Sequence, residues 1–211
     1  TPAVREDIAA SLAMSSPHFV TLPFDRPNLD FCVERCFGKR QKQAAVARLL
    51  EETDGPAVIY VPRRKDAEEL AHYCRSLGIE AAPYHAGLPP EERGATQDAF
   101  MDDRLRVVCC TNAFGMGVDK PDIRLIAHYA LPSSLEAYYQ ECGRAGRDGL
   151  PAKIVLLFQE GDRAFHERLI EMETMDIDQV KSFCKNLVEF RRGRYFLIPR
   201  NSLEEKTGFS G

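Results

Sequence analysis

The stretch "QECGRAGRDG", residues 140–149, sets Arg144 and Arg147 among three glycines, with Gln140 just ahead of them. A guanidinium keeps its charge at every relevant pH and matches phosphate oxygens two at a time, so two on one rigid face make a phosphate clamp. If residues 135–147 form a helix, Gln140, Arg144 and Arg147 fall at i, i+4 and i+7 and share one stripe. Gly143 and Gly146 then keep the adjoining surface flat enough for something large to approach, and Asp148-Gly149 ends the element. The same residues also suit a solvated helix face with a glycine-rich stop, and at this level both readings stand.

What the arginines would clamp is missing from the rest of the chain. No GxxxxGK[ST] phosphate loop occurs: "FGKRQ" (37–41) lacks the first glycine and the hydroxyl residue, and "EKTGFSG" (205–211) lacks the preceding glycine. No acidic pair follows an apolar strand where it could hold magnesium; Asp102 and Asp103 end a helix and precede a strand. An arginine that serves a nucleotide bound by another domain stabilises charge developing on the transferring phosphoryl group, and needs no phosphate loop of its own. A second stretch, "TNAFGMGVDKPDIR" (111–124), offers Gly115 and Gly117, whose backbone can expose amides to an anion, with Thr111 and Asn112 as side-chain donors. The third glycine of a dinucleotide fingerprint is absent and Pro121 interrupts any helix, so a tight turn and a ligand loop are equal readings.

These loops need a frame. The 211 residues, 44% apolar, 28% charged and 9% aromatic, suit a globular domain with a normal core, not a disordered chain. A net charge of −4 excludes a surface that is basic all round, so nucleic-acid contact must come from a local patch. Seven cysteines (32, 36, 74, 109, 110, 142 and 184) without a CxxC pair point to buried thiols in a reduced, intracellular protein. Nothing resembles a signal peptide or a membrane span, so a soluble, cytoplasmic protein is expected. The runs 18–22, 57–61, 79–85, 105–111, 123–129 and 152–158 read as strands, and 42–52, 64–78 and 89–102 as helices. That alternation predicts an α/β fold, a parallel sheet with helices on both faces, and places the chemistry in loops at the strands' carboxyl ends. From Gly161 the strands should stop, with two helices forming an appendage.

With those stretches in view, the sequence resembles the second motor lobe of superfamily 2 helicases, specifically the RecQ family of DNA helicases. "QECGRAGRDG" resembles that family's last motif, "AFGMGVDKPDIR" (113–124) its motif V, and "VIYVPRRKDAEELA" (58–71) its motif IV region. "AAPYHAGL" (81–88) is similar to the motif between the fourth and fifth strands, and "FDRPNL" (24–29) to the segment leading into this lobe. The resemblance implies a RecA-like sheet sandwiched by helices, with residues 1–17 as the end helix of a preceding lobe or linker. Residues 18–160 would be the lobe itself, and 161–211 a helical appendage that could begin a further subdomain.

By the same resemblance, Arg147 is the finger on the γ-phosphate of ATP, Arg144 a second γ-phosphate or interlobe contact, and Gln140 an organiser of that face. Gly117 and Asp119 would line the interlobe cleft, and Arg64, His85, Gly87, Thr111 and Asn112 would follow a DNA strand. His85 has an alternative as a strand-end histidine with a local partner, and Arg64 as part of a charged first helical turn, although cations are unfavourable there. ATP and Mg2+ would be held by an N-terminal lobe outside this sequence, leaving the chain alone inactive. The implied partners are single-stranded or duplex DNA and that lobe, with no membrane, acting as a monomer in DNA repair or recombination. The family's zinc subdomain needs four cysteines where Cys184 could supply only the first, so no zinc is expected. An RNA helicase lobe of the same superfamily and a non-catalytic α/β binding module are the alternatives.

Overall fold

The computed structural model describes residues 2–20, 25–115, 118–163, 185, 191–192 and 195–196. Helix α1 (Pro2–Ser11) precedes the sheet. Strand β1 (Leu29–Arg35) is followed by α2 (Lys39–Glu52), β2 (Ala57–Tyr60), α3 (Arg64–Ser76), β3 (Ala81–Tyr84), α4 (Pro90–Met101) and β4 (Val107–Cys110). Then come β5 (Leu125–His128), α5 (Leu135–Cys142) and β6 (Ala152–Phe158). The six strands are all parallel, in the order β1-β6-β5-β2-β4-β3.

Period-two alternation along each strand sends neighbouring residues to opposite faces, and both faces are covered. Ala57 and Ile59 of β2 join a core with Val46, Leu49 and Leu50 of α2 and Ala67, Leu70, Ala71 and Cys74 of α3. Val58 and Tyr60 turn the other way, to Phe100 of α4, Phe114, Ile123 and Cys142 of α5. The buried residues of α3 lie at i, i+3, i+4 and i+7, the stripe of a helix that buries one side. Pro90 opens α4 with Glu91 and Glu92 in its first turn, and Gly78 at φ +78° closes α3 into β3. The predicted parallel sheet between helices is the observed one.

Three expectations change. Residues 18–20 form no strand, while residues 21 and 22 of that expected strand lie outside the described residues. The first strand is instead β1, at the edge, where Phe31 and Val33 are 50% and 68% exposed and Asp30, Glu34 and Arg35 interrupt the apolar pattern. An edge strand gains its hydrogen bonds from one neighbour and needs no apolar run to do so. Strands also do not stop at Gly161: Arg191–Arg192 pair antiparallel with Tyr195–Phe196. Of the two expected appendage helices, nearly all lies outside the described residues.

Candidate functional site

Ser134 starts α5, its Oγ accepting from the Ala137 amide at 3.0 Å, with Glu136 in the first turn. The helix ends at Cys142, with Gly143 as its cap, so Arg144 and Arg147 do not continue a helical stripe from Gln140. That is a correction, and its cause is local. Three-residue bonds from the Arg144 and Ala145 amides to the Glu141 and Cys142 carbonyls tighten the chain, and Gly146 at φ +52° turns it left-handed. The resulting arginine turn, 143–150, is stitched to the strand lead-in instead. The Gly146 amide donates to the Ile123 carbonyl at 3.0 Å and the Asp148 amide to that of Pro121 at 3.2 Å.

The two arginines have different surroundings. Arg144 is half-buried and donates from Nη1 to the Gly115 carbonyl at 2.6 Å. A Cβ at Gly115, whose φ is +143°, would overlap that guanidinium, so the loop and the arginine fit only because this residue is glycine. Arg147 lies at the surface, 37% exposed, and meets Asp119 at 2.5 Å; the aspartate is 83% exposed. An ion pair in that setting contributes only about 0–1 kcal/mol, so a phosphate could replace the carboxylate at small cost. Gln140 is exposed on the last turn of α5. Gly117 lies outside the described residues.

Asp119 faces outward because both its neighbours are anchored. Val118 is buried in the core, and buried Lys120 reaches Asp103 at 2.7 Å and Asp122 at 3.1 Å. Burial opposes the Lys120 charge, but the two carboxylates outweigh it and hold its pKa above the usual lysine value. The turn is fixed from below by residues that sequence reading gave no role. Arg26 Nη2 donates to the Ala145 and Gly146 carbonyls, and Asn28 Nδ2 to those of Gly146 and Leu150. The only signal was the quoted "FDRPNL", which says nothing of a contact some 120 residues away.

The other candidates line the carboxyl edge of the sheet. Connections leave β2 toward β3 and leave β5 toward β6 on the other side, opening a crevice of the kind that binds ligands in such sheets. A groove of about 350 Å³ there is lined by Thr111, Asn112, Tyr60, His128, Ser133 and Glu141. His128 stacks on Tyr60 at 5.3 Å and meets Glu141 at 2.8 Å. Burial pushes the Tyr60 hydroxyl well above its ordinary pKa. Tyr60, His128 and Glu141 were not singled out from sequence, where they read as ordinary strand and helix residues.

Alongside, Arg64, His85 and Gly87 meet: a Cβ at Gly87 would stand 2.9 Å from Arg64 Nη1 and 3.2 Å from His85 Nδ1. Arg64 is exposed, whereas His85 is only 3% exposed with its Nε2 at 3.2 Å from Glu68. The arrangement gives His85 the local partner of its alternative reading. Thus Arg64, Gly87 and Asn112 present an exposed polar row after β2, β3 and β4, with Thr111 half-buried beside it. Among the described residues no group of three or more His, Cys, Asp or Glu could hold a metal. No described helix is long and apolar enough to cross a membrane.

Comparison with known proteins agrees with this layout. The helicase conserved C-terminal domain pattern matches residues 41–149. A probable ATP-dependent DNA helicase, RecS of Bacillus subtilis, is 44% identical over 164 residues, covering 77% of this chain and 33% of that protein. The ATP-dependent DNA helicase RecQ of Pasteurella multocida is 40% identical over 170 residues, covering 80% and 27%. The chain therefore spans a third or less of the length of these relatives. Among solved structures, Saccharomyces cerevisiae Dbp5 bound to RNA and ADP BeF3 superimposes with a TM-score of 0.63 at 22% identity, covering 82% of this chain and 46% of that one. At that identity the likeness is one of fold alone.

Proposed function

The chain belongs to the helicase conserved C-terminal domain family, in its RecQ-type branch, and from that premise we propose that it is the C-terminal motor lobe of an ATP-dependent DNA helicase. In this reading a preceding lobe holds ATP and Mg2+, and this lobe supplies Arg147 to the γ-phosphate when the cleft closes. One observation carries the proposal: Arg147 sits at the surface of a turn fixed by backbone and side-chain bonds, its guanidinium held by an exposed aspartate and a long 3.4 Å bond from Nε to the Gly143 carbonyl. A guanidinium so placed is positioned in advance and easily released, as stabilisation of a developing phosphoryl charge requires.

Arg144, tied to Gly115, transmits the position of that residue to the turn, and Asp119 takes Arg147 back when the nucleotide leaves. The polar row of Arg64, Gly87, Thr111 and Asn112 fits a single strand gripped mainly through its phosphates, with His85 positioning Glu68 beneath it. DNA is the nucleic acid we assign, since the relatives named above are DNA helicases. The lobe works as a monomer with reduced thiols inside the cell. Because it holds no phosphate loop among its residues, the chain alone should not hydrolyse ATP. It should bind single-stranded DNA weakly, with an affinity that falls as salt rises. Measurable ATPase from the purified chain, or DNA binding indifferent to salt, would overturn the proposal.

A further inference from the structure

We propose that Arg26 and Asn28 form a positioning clamp that sets the direction of Arg147, the role that α5 cannot play because it ends at Cys142. The inference rests on the reading of Arg147 as the group that meets the phosphoryl oxygen. Past the helix end, the carbonyls of Ala145, Gly146 and Leu150 have no helical ladder to join. Arg26 Nη2 donates to Ala145 O at 2.9 Å and to Gly146 O at 2.7 Å. Asn28 Nδ2 donates to Gly146 O and to Leu150 O, both at 2.9 Å.

Gly146 O therefore receives two bonds from the clamp, one from each of its residues, in addition to the Gly149 amide of the turn itself at 3.0 Å. That carbonyl belongs to the same planar peptide unit as the amide of Arg147, so fixing it fixes the plane from which the Arg147 Cα hangs. The clamp is itself anchored. Arg26 Nε donates to Asn28 Oδ1 at 3.3 Å, the Leu29 amide to Arg26 O at 3.0 Å, and the Ala152 amide to Asn28 O at 2.9 Å, where β1 meets β6. It also lies against the turn without a gap: a Cβ at Gly146 would stand 2.6 Å from Asn28 Nδ2 and 2.7 Å from Leu150 O. The guanidinium is roughly 6 Å from its Cα, so a tilt of about 10° in that plane moves it about 1 Å, enough to cost on the order of 10²-fold in rate.

The test is Asn28→Asp in the full-length protein, which keeps the side chain's size but replaces both donors with a carboxylate. DNA-stimulated single-turnover ATP hydrolysis should fall about 10- to 100-fold, while the Kd for a non-hydrolysable ATP analogue changes less than about 3-fold. In an Arg147→Ala background the same substitution should change the residual rate less than about 2-fold, because the clamp acts only through Arg147. Equal losses in both backgrounds, or a rate within about 3-fold of the unsubstituted protein, would overturn the clamp. Arg26→Lys goes through the same cycle with the same criteria, so the test stands if Asn28→Asp does not fold. Arg147→Ala alone retaining more than about a tenth of the rate would instead remove the finger reading beneath it.

Discussion

Gly115→Ala is the substitution whose effect follows most directly from the geometry. The added Cβ would overlap Arg144 Nη2 and Cζ and stand 2.8 Å from its Nε. Restoring normal contact takes a shift of roughly 1 Å, and the 2.6 Å bond from Nη1 to Gly115 O does not survive it. A hydrogen bond from a charged donor contributes about 1.5–3 kcal/mol, and a non-glycine residue at positive φ costs about 1–3 kcal/mol. Because the displaced guanidinium is flexible and can find water, the lower half of the sum applies. Urea unfolding of the chain should show a loss of about 2.5–4 kcal/mol. In an Arg144→Ala background the overlap and the bond are both gone, so Gly115→Ala should cost only the backbone strain, about 1–3 kcal/mol. In the full-length protein, turnover should drop at least about tenfold while nucleotide binding is retained, tenfold corresponding to about 1.4 kcal/mol of transition-state stabilisation. A stability change below about 0.5 kcal/mol, or the same cost in both backgrounds, would refute the coupling of Arg144 to the loop.

Three further predictions concern the surface and the thiols. Arg64→Ala should weaken single-stranded DNA binding across sequences and reduce the slope of log affinity against log salt by about one; an unchanged slope would remove Arg64 from the strand path. Burial pushes the Cys142 thiol up to about 12, while Cys32 is exposed. Iodoacetamide at pH 8 should therefore modify Cys32 first among the described cysteines, and Cys142 only after unfolding. Since the folded state favours the neutral Cys142 thiol, its contribution to stability is complete below the unfolded value of about 8.5 and declines as pH rises toward the folded one. The urea midpoint should fall above about pH 9 and fall less in Cys142→Ala.

The sheet was legible because its inner strands are buried on both faces, and a run such as "AVIYV" carries that burial in its composition. β1 was not legible, since an edge strand with three charged residues lacks that composition. For the site, residue types and spacing pointed to Arg144, Arg147, Thr111, Asn112 and Gly115, and the family resemblance to Asp119, Arg64, His85 and Gly87; the fold joins Arg144 to Gly115, Arg147 to Asp119, and Gly87 to Arg64 and His85. The helical stripe through Gln140 failed because Gly143 and Gly146 favour a tight turn over another helical turn, a balance that the contacts with Ile123 and Pro121 decide. The Arg26 and Asn28 contacts run from side chain to distant backbone, and such bonds leave no periodicity to read. The burial of His85 depends on α3 packing over β3, which its own neighbours in sequence do not reveal.

The central claim, that Arg147 completes a phosphoryl-transfer site whose nucleotide is held by another lobe, is tested most directly by Arg147→Ala in the full-length protein. With ATP binding preserved, DNA-stimulated hydrolysis should fall by about 10³ to 10⁵. Hydrolysis above about a tenth of the unsubstituted rate would contradict it.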